Sequence, residues 1–390
     1  MKKRVLVNAV KPDMVVAENV LSSDKQLIVP AGTSLTTKDI AKLKSNSIFA
    51  IKIQVPDEGD SENPTAPGQK PDSQDKPARK ESVAEKPVQD KSSPPAGNEQ
   101  TYFDRIQNSV EFTYFQDAFV GSVEDLSDSL NDVVNKNSKV DVPNLLAEVD
   151  AIIAQSRTPF HLLNMLQCMR GSDDLTYVHS MNVALISHVI GEWMGLPKEE
   201  LNVLTLAGLL HDIGKLHIPA EILSKPGKLT EEEFNLIHFH PKFGHEIVKT
   251  KHLDPRVALV TIQHHERIDG SGYPAGLKGD KMETFSKIVA IADVYDAMTA
   301  NRVYRDGLCP FTVMAAFEKE RHYYDPSILY MFLQRIAQAY ANVDVMMSNG
   351  VKGKIILINR DIPSKPVVLG EDGVTYDLKK TKGVEIQAIL

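Results

Sequence analysis

The sequence has little of several features that would define its class at once. Only two cysteines, Cys168 and Cys309, occur in 390 residues, which argues against a disulfide framework and against a zinc site built from thiolates. No apolar run reaches the ~18 residues of a membrane span, and the basic start lacks the apolar stretch of a secretory signal. Basic residues are not in excess, since the net charge is -8, which disfavours nonspecific binding to nucleic acid. We therefore expect a cytoplasmic protein with no DNA partner, although a local basic pocket could still bind a phosphate ligand.

The apolar pattern changes along the chain, and the first change predicts a domain boundary. Residues 1–54 contain short alternating apolar runs broken by proline and glycine, which predicts a small mostly-β domain with one helix near residues 36–45. Residues 55–100 are rich in proline and charged residues and contain no aromatic residue. Such a segment buries too little apolar surface to offset its ordering entropy, so we expect a disordered linker.

Helical spacing follows the linker, and strand-like runs return near the end. Thr230 and Glu233 form a predicted capping box ahead of an apolar run. We divide the helical part into a connector, 101–150, and a larger domain, 151–345. Residues 346–390 form a predicted short β-rich tail, with an Asp-Gly pair that is typical of a hairpin. The predicted fold class is mainly α, with small β-rich modules at both ends.

Histidine is confined to the middle of the chain, where all 12 histidines lie between His161 and His322. Histidine is the commonest metal ligand and titrates near neutral pH, so we expect the chemistry in this region. One motif is LLHDIGK, in which His211, Asp212 and Lys215 lie close together on an otherwise apolar helix. Three such polar side chains are costly to bury without partners. A helix end at which polar residues meet water is the alternative.

Four more segments carry candidate ligands. His240 precedes Pro241, which suits a helix start, and the adjacent His264 and His265 precede the turn-like sequence DGSGYP. Taken singly, each of these histidines is as typical of a surface or packing position, the interpretation we give to His238 and His245. Two further candidates lie on apolar helices, His179 and Asp293, and each alone could be a satisfied core residue or part of a polar stripe.

In combination, these residues predict a metal centre. Five imidazoles and two carboxylates are enough nitrogen and oxygen ligands for two metals, with Asp212 as a bridge, and this donor set favours iron, manganese or zinc. Two metals ~3.5–4 Å apart suit phosphodiester hydrolysis, in which Lys215 could stabilise developing negative charge.

The motifs also carry a resemblance to a known family. LLHDIGK, HP-x-x-G, HHER-x-DGSGYP and IVAIADVYDAMTANRVYR follow one another between Asn164 and Val345. In this order they resemble the HD-GYP subfamily of the HD superfamily of metal-dependent phosphohydrolases, whose members hydrolyse cyclic di-GMP. The first 54 residues resemble a small domain often found ahead of HD-GYP domains. The resemblance implies an HD-type helical domain, contacts with diguanylate cyclase (GGDEF) domains, and two divalent ions, with iron or manganese favoured over zinc, magnesium or nickel; it also allows a homodimer.

Residue by residue, the resemblance implies three groups of functional residues. Lys215 would contact the scissile phosphate and act with Asp212 in catalysis. The implied metal ligands are His179, His211, Asp212, His240, His264, His265 and Asp293. The implied substrate contacts are Asp269, Gly270, Tyr273 and Pro274 in the signature turn, and Asp296, Arg302 and Arg305 after it.

One departure from the family pattern bears on the product. Some members carry a glutamate four residues before the first histidine, and it helps to hold a third metal, whereas this chain has Leu175 there. Asp173 and Asp174 have the wrong helical phase to replace that glutamate. We therefore expect a two-metal site and the linear product pGpG, with GMP as the alternative. A cyclic di-GMP sensor without turnover, and a phosphodiesterase for another dinucleotide such as cyclic GMP-AMP, remain alternative functions.

Overall fold

The computed structural model describes most of the chain outside the expected linker. The described residues are 2–7, 10–21, 26–45, 48, 50–54, 101–169, 176–223, 225, 227–300 and 307–390. The linker prediction for 55–100 lies outside them. None of the helices in these ranges is long and apolar enough to cross a membrane.

The N-terminal region is the expected small mostly-β module. Its elements are β1 (Lys2–Leu6), β2 (Val15–Val16), β3 (Val20–Leu21), β4 (Leu27–Val29), α1 (Thr37–Ser45) and β5 (Ala50–Gln54). β1, β5 and β2 form an antiparallel sheet in that order, and β3 pairs with β4. The apolar residues of the alternating runs, such as Val16, Leu43 and Ile51, are buried in one cluster. The helix lies where the sequence predicts it.

The middle of the chain is helical, and several of its helices start at recognisable caps. The helices are α2 (Tyr102–Gln107), α3 (Val110–Asn135), α4 (Val142–Ile153), α5 (Pro159–Met169), α6 (Thr176–Trp193), α7 (Lys198–Leu210), α8 (Ala220–Leu223), α9 (Glu231–His238), α10 (His240–Val248), α11 (Pro255–Gln263), α12 (Thr284–Thr299), α13 (Pro310–Lys319) and α14 (Pro326–Ala339). Thr230 and Glu233 form the predicted capping box at α9. Aspartates 141, 254 and 325 cap α4, α11 and α14 ahead of a proline in the first turn.

Two central helices approach each other closely. A Cβ at Gly208 of α7 would lie 2.7 Å from Ala184 Cα of α6, so only glycine allows this backbone contact. α6 is apolar nearly all round, which is typical of a buried helix, and α12 packs beside it. This arrangement matters for function because α6, the end of α7 and α12 carry candidate ligands.

The C-terminal residues form a sheet that packs onto the helices. The strands are β6 (Asp344–Met347), β7 (Lys352–Leu357), β8 (Val367–Gly370), β9 (Thr375–Asp377) and β10 (Ile386–Ile389), in the antiparallel order β10-β6-β7-β8-β9. The predicted hairpin joins β8 to β9, and Gly373 there has φ +77°. Val345, Ile355 and Val368 are fully buried in the same cluster as the helices. The predicted tail therefore shares the core of the helical part.

Candidate metal centre

The HDIGK segment marks a change of backbone geometry. α7 ends at Leu210, and a 3-10 turn, Ile213–His217, follows, so the expectation of one continuous helix through Lys215 is wrong. The cause is long-range packing. A Cβ at Gly214 would overlap the carbonyl oxygen of His240, and it would lie 2.5 Å from the amide nitrogen of Gly244. The glycines of HDIGK and HP-x-x-G thus let the turn pack directly against α10.

Three histidines have their protons fixed by backbone carbonyls. His211, His240 and His264 each place Nδ1 beside the carbonyl oxygen of the residue three positions earlier, at 2.7, 2.7 and 3.0 Å. A carbonyl oxygen only accepts, so each Nδ1 carries the proton and donates. Each Nε2 is then left with a lone pair. This is the tautomer that a metal-binding histidine adopts.

The three Nε2 atoms converge on one carboxylate. His240 Nε2 lies 3.1 Å and His264 Nε2 3.6 Å from Asp212 Oδ1, and His211 Nε2 lies 3.3 Å from Asp212 Oδ2. The Nε2 atoms of His240 and His264 are only 3.2 Å apart, although neither has a proton to share. All four side chains are buried. Lone pairs and a carboxylate that face one another without intervening protons repel, and a cation between them removes the repulsion.

Within the described residues, the potential donors form two groups. One contains Asp212, His240, His264 and His265, and the other contains His179, His211 and Asp293; the donor atoms of each group lie within 4.8 Å of one another. Asp212 turns Oδ1 toward the first group, while its Oδ2 lies 3.3 Å from His211 Nε2 and 3.6 Å from His179 Nε2 of the second. The structure therefore brings all seven sequence-predicted ligands together, and Asp212 lies between the groups. Their chemistry fits two divalent ions.

Asp296 is placed differently from its expected substrate contact. It follows Asp293 by three residues on α12, and its Oδ2 lies 2.8 Å from His179 Nδ1. The other ring nitrogen, His179 Nε2, lies 3.1 Å from Asp293 Oδ1. Asp296 is only 2% exposed. It lies behind His179 and orients that ring, as the carboxylate partners of metal-binding histidines do.

Burial and neighbouring charges adjust the protonation of the cluster. Burial lowers the pKa of His264 to about 4 and the pKa of His265 well below its ordinary value. Burial would raise the pKa of Asp212, but Lys215 and His211 hold it well below its usual range. For His179, burial would lower the pKa, but Asp293 and Asp296 raise it to about 10. Neutral His264 and His265 and an ionised Asp212 are the forms that a metal requires.

The DGSGYP turn is held from inside by Glu266. This carboxylate is 1% exposed and accepts the backbone N–H groups of Ala275, at 2.7 Å, and Leu277, at 2.9 Å. A Cβ at Gly272 would lie 2.5 Å from Glu266 Cα, so Gly272 allows a close approach of the chain to itself. Gly270, with φ +87°, has the left-handed conformation that glycine favours.

A stack of rings leads from the surface to the ligand cluster. Phe234, which is 49% exposed, lies 4.1 Å from His238, measured between ring centroids. His238 stacks on Tyr273 at 4.2 Å, and Tyr273 stacks on the candidate ligand His265 at 4.7 Å. Sequence reasoning placed His238 among ordinary surface or packing residues and missed this arrangement. The spacing of Phe234 and His238, four residues apart on one helix face, was the available signal.

The remaining candidate residues lie beside Asp212, in the signature turn, or outside the described residues. Lys215 Nζ lies 2.5 Å from Asp212 Oδ2, as its spacing predicts. Asp269 is exposed and accepts the backbone N–H of Ser271 at 2.9 Å within the signature turn. A cis peptide bond joins Tyr273 to Pro274. The expectations for Leu175, Asp173, Asp174, Arg302 and Arg305 lie outside the described residues.

Known proteins match the part of the chain that carries this cluster. Residues 156–328 match a family model described as HD domain. A cyclic di-GMP phosphodiesterase of Pseudomonas aeruginosa is 33% identical over 55% of this chain and 51% of its own length. A cyclic di-GMP phosphodiesterase response regulator of Xanthomonas campestris pv. campestris is 40% identical over 39% of this chain and 42% of its own. The segment is an HD domain of the HD-GYP family.

The matches cover only part of the length of each relative. A 3'3'-cGAMP-specific phosphodiesterase 1 of Vibrio cholerae is 40% identical over 40% of this chain and 36% of its own length. The chain thus spans about half, or less, of the length of the curated relatives it matches. All seven candidate ligands of this HD-GYP domain lie inside residues 156–328.

Proposed function

We propose that this HD-GYP domain hydrolyses cyclic di-GMP to pGpG at a centre of two divalent ions. The observation that carries the proposal is the convergence of three imidazole lone pairs on Asp212, whose two oxygens face separate ligand groups. A buried cluster of this kind has no evident structural purpose, because the same core filled by apolar side chains would avoid the desolvation of its polar groups.

The ligand set indicates which ions fit. One ion would be held by Asp212, His240, His264 and His265, and the other by His179, His211, Asp293 and the shared Asp212. Imidazole and carboxylate donors without thiolate favour iron or manganese, with zinc, magnesium and nickel as alternatives. When bound, two such ions would supply a water nucleophile at neutral pH and neutralise the phosphoryl charge.

Lys215 is placed to bind the substrate phosphate. Its side chain is 25% exposed, whereas that of Asp212 is 1% exposed. The ammonium group therefore lies at the boundary between the buried cluster and solvent, where a phosphodiester would enter. A fixed cation at that boundary stabilises negative charge that develops on phosphoryl oxygens. Tyr273 lies at the same boundary, against His265.

Cyclic GMP-AMP is the second candidate substrate. A relative named for its specificity toward 3'3'-cGAMP has the same identity, 40%, as the Xanthomonas cyclic di-GMP enzyme. The two substrates differ in one base and share the phosphodiester bonds. The metal cluster treats both alike, so residues that contact the base must decide between them. We propose Arg302 and Arg305 among those residues, as the family resemblance implies.

We also propose a division of the chain around the domain, a class of partner and a cellular location. The boundaries 1–54, 55–100, 101–150, 151–345 and 346–390 stand as proposed divisions. Diguanylate cyclase (GGDEF) domains are proposed partners of the signature turn, whose Asp269 and Ser271 are exposed. We place the activity in the cytoplasm, where cyclic dinucleotide messengers act.

Product analysis tests the proposed reaction. Protein purified without oxygen and loaded with iron or manganese is incubated with each cyclic dinucleotide, and substrate, pGpG and GMP are separated by chromatography. We expect pGpG from cyclic di-GMP in the wild type and none with Asp212→Ala. Asp132→Ala is the matched control, because Asp132 is a half-exposed aspartate of α3 that pairs with Lys136. Intact substrate in the fully loaded wild type would contradict the proposal and favour a sensor.

A further inference from the structure

A large cavity lies apart from the metal ligands, between the helices and the C-terminal sheet. It has a volume of about 890 Å³, and none of the seven candidate ligands lines it. α13, α14 and the 3-10 turn Arg321–Tyr323 form one side, and the loop 361–365 forms the other. Its apolar lining includes Ile268, Leu329, Tyr330, Leu333, Ile362 and Pro363. A concave, mainly apolar cavity of this size is typical of small-molecule sites.

The cations and carboxylates that line this cavity do not all pair with one another. One of its carboxylates, Asp361, pairs with Lys379, which is not part of the lining. Another, Glu318, accepts the backbone N–H of Ser364 at 2.9 Å and keeps its negative charge near Arg321 and Lys365. The lining also contains Lys319, Arg321 and Lys365, and none of these three forms an ion pair with a carboxylate in the described part of the chain. Glu385 is the one other carboxylate of the lining. Because Asp361 is paired with Lys379, the three cations face two remaining carboxylates, Glu318 and Glu385, and the surplus at the apolar cavity is one positive charge.

We propose that this cavity binds an amphiphilic anion, with its apolar body against Leu329, Tyr330 and Ile362 and its anionic head among Lys319, Arg321 and Lys365. Charge complementarity selects this class. A neutral apolar ligand would leave this surplus positive charge unmatched, and a compact polar anion would leave the apolar lining in contact with water. Acyl carboxylates and aromatic sulfonates share the required chemistry.

The cavity is connected to the metal centre by a short stretch of chain. Ile268, which lines the cavity, comes three residues after His265, and its backbone N–H donates to the carbonyl oxygen of Tyr323 at 3.1 Å. The guanidinium of Arg267 lies 4.9 Å from the ring centroid of Tyr324, another lining residue. A ligand that shifts Ile268 would move the base of the signature turn. This consequence rests on the proposed function: occupancy should change the rate of hydrolysis, whereas binding itself does not depend on that function.

Binding is tested on the full chain with two probes. The fluorescent sulfonate 8-anilinonaphthalene-1-sulfonate is titrated into the protein and then displaced with dodecanoate or with the neutral dodecanol. Tyr330→Glu places a carboxylate in the cavity at a position that is 53% exposed, so the fold should tolerate it. Tyr114→Glu is the matched control, since Tyr114 is 61% exposed on α3 and does not line the cavity.

We expect saturable binding of one probe per chain, displacement by dodecanoate at concentrations at least tenfold lower than dodecanol, and at least tenfold weaker binding in Tyr330→Glu only. Arg321→Gln should weaken dodecanoate and leave dodecanol unchanged. Equal binding by the wild type and Tyr330→Glu, or no saturable binding, would overturn the site. Equal displacement by dodecanol would overturn the anionic head. Hydrolysis is measured on the same samples: absence of turnover at full metal loading contradicts the proposed function and leaves the binding result as it stands.

Discussion

At the residue scale, Asp212 occupies a demanding position. It is buried among four histidines, and its oxygens face two different ligand groups. An asparagine has nearly the same shape but lacks the charge and one acceptor oxygen. We expect Asp212→Asn to bind fewer than two ions per chain and to lose more than about 100-fold in turnover, since even changes behind the ligands cost about 10–100-fold. Metal analysis beside kinetics measures this, with Asp132→Asn as control; full metal content in Asp212→Asn would contradict the bridge.

Asp296 provides a test of its revised position. If it orients His179, Asp296→Asn should lower metal affinity by about 10–100-fold, and excess metal should restore most of the activity. If Asp296 instead contacts the substrate, the variant should keep its metal affinity and raise KM. Metal titration followed by calorimetry measures the metal affinity, and KM measured on the same variant separates the two results.

The ring stack predicts an effect for His238. Each aromatic pair contributes about 0.5–1.5 kcal/mol, so His238→Ala, which loses the contacts with Phe234 and Tyr273, should lower the free energy of unfolding by roughly 1–3 kcal/mol. His238→Phe keeps a ring in place and should retain most of that stability. Urea unfolding of the metal-free protein measures the difference. Equal losses in both variants would show that the stack itself contributes little.

At the scale of elements, the signature turn depends on a single buried carboxylate. Glu266 accepts two backbone N–H groups of the segment that follows Tyr273. In Glu266→Gln one acceptor becomes an N–H donor that faces a backbone donor, so we expect a loss of about 1–3 kcal/mol in the free energy of unfolding. Chemical denaturation measures it, with exposed Glu221→Gln as the control. An unchanged midpoint would indicate that the turn holds its shape without Glu266.

The sequence predicts those elements that local chemistry determines, but it does not predict those that distant contacts determine. The capping box at Thr230, the hairpin at Gly373 and the N-terminal strands follow from local chemistry, and the structure confirms them. The end of α7 at Leu210 depends on the contact of Gly214 with His240, which is distant along the chain.

Contacts between elements account for the other differences from expectation. The place of Asp296 depends on how α12 packs against α6, and the stack from Phe234 to His265 joins α9 to the signature turn. The order of the motifs predicted which residues form the ligand set. No local sequence pattern predicts which carboxylate lies behind which histidine. Tertiary packing decides that.

At the scale of the whole molecule, the N-terminal module has a core of its own. Its buried residues form one cluster, and the helices with the C-terminal sheet form another. We therefore expect a chain without residues 1–100 to retain metal binding and turnover within about threefold, because no candidate ligand lies in that part. Loss of bound metal in the truncated chain, measured by elemental analysis, would contradict the proposed boundary.

The central claim is that hydrolysis of cyclic di-GMP requires two ions in this cluster, and a metal titration of metal-free protein tests it most directly. Manganese is added in steps under anaerobic conditions, and bound ions per chain and the rate of pGpG formation are measured on the same samples. We expect the rate to rise as the second ion binds and Asp212→Asn never to reach that rate. Two bound ions per chain without hydrolysis, or hydrolysis by metal-free protein, would contradict it.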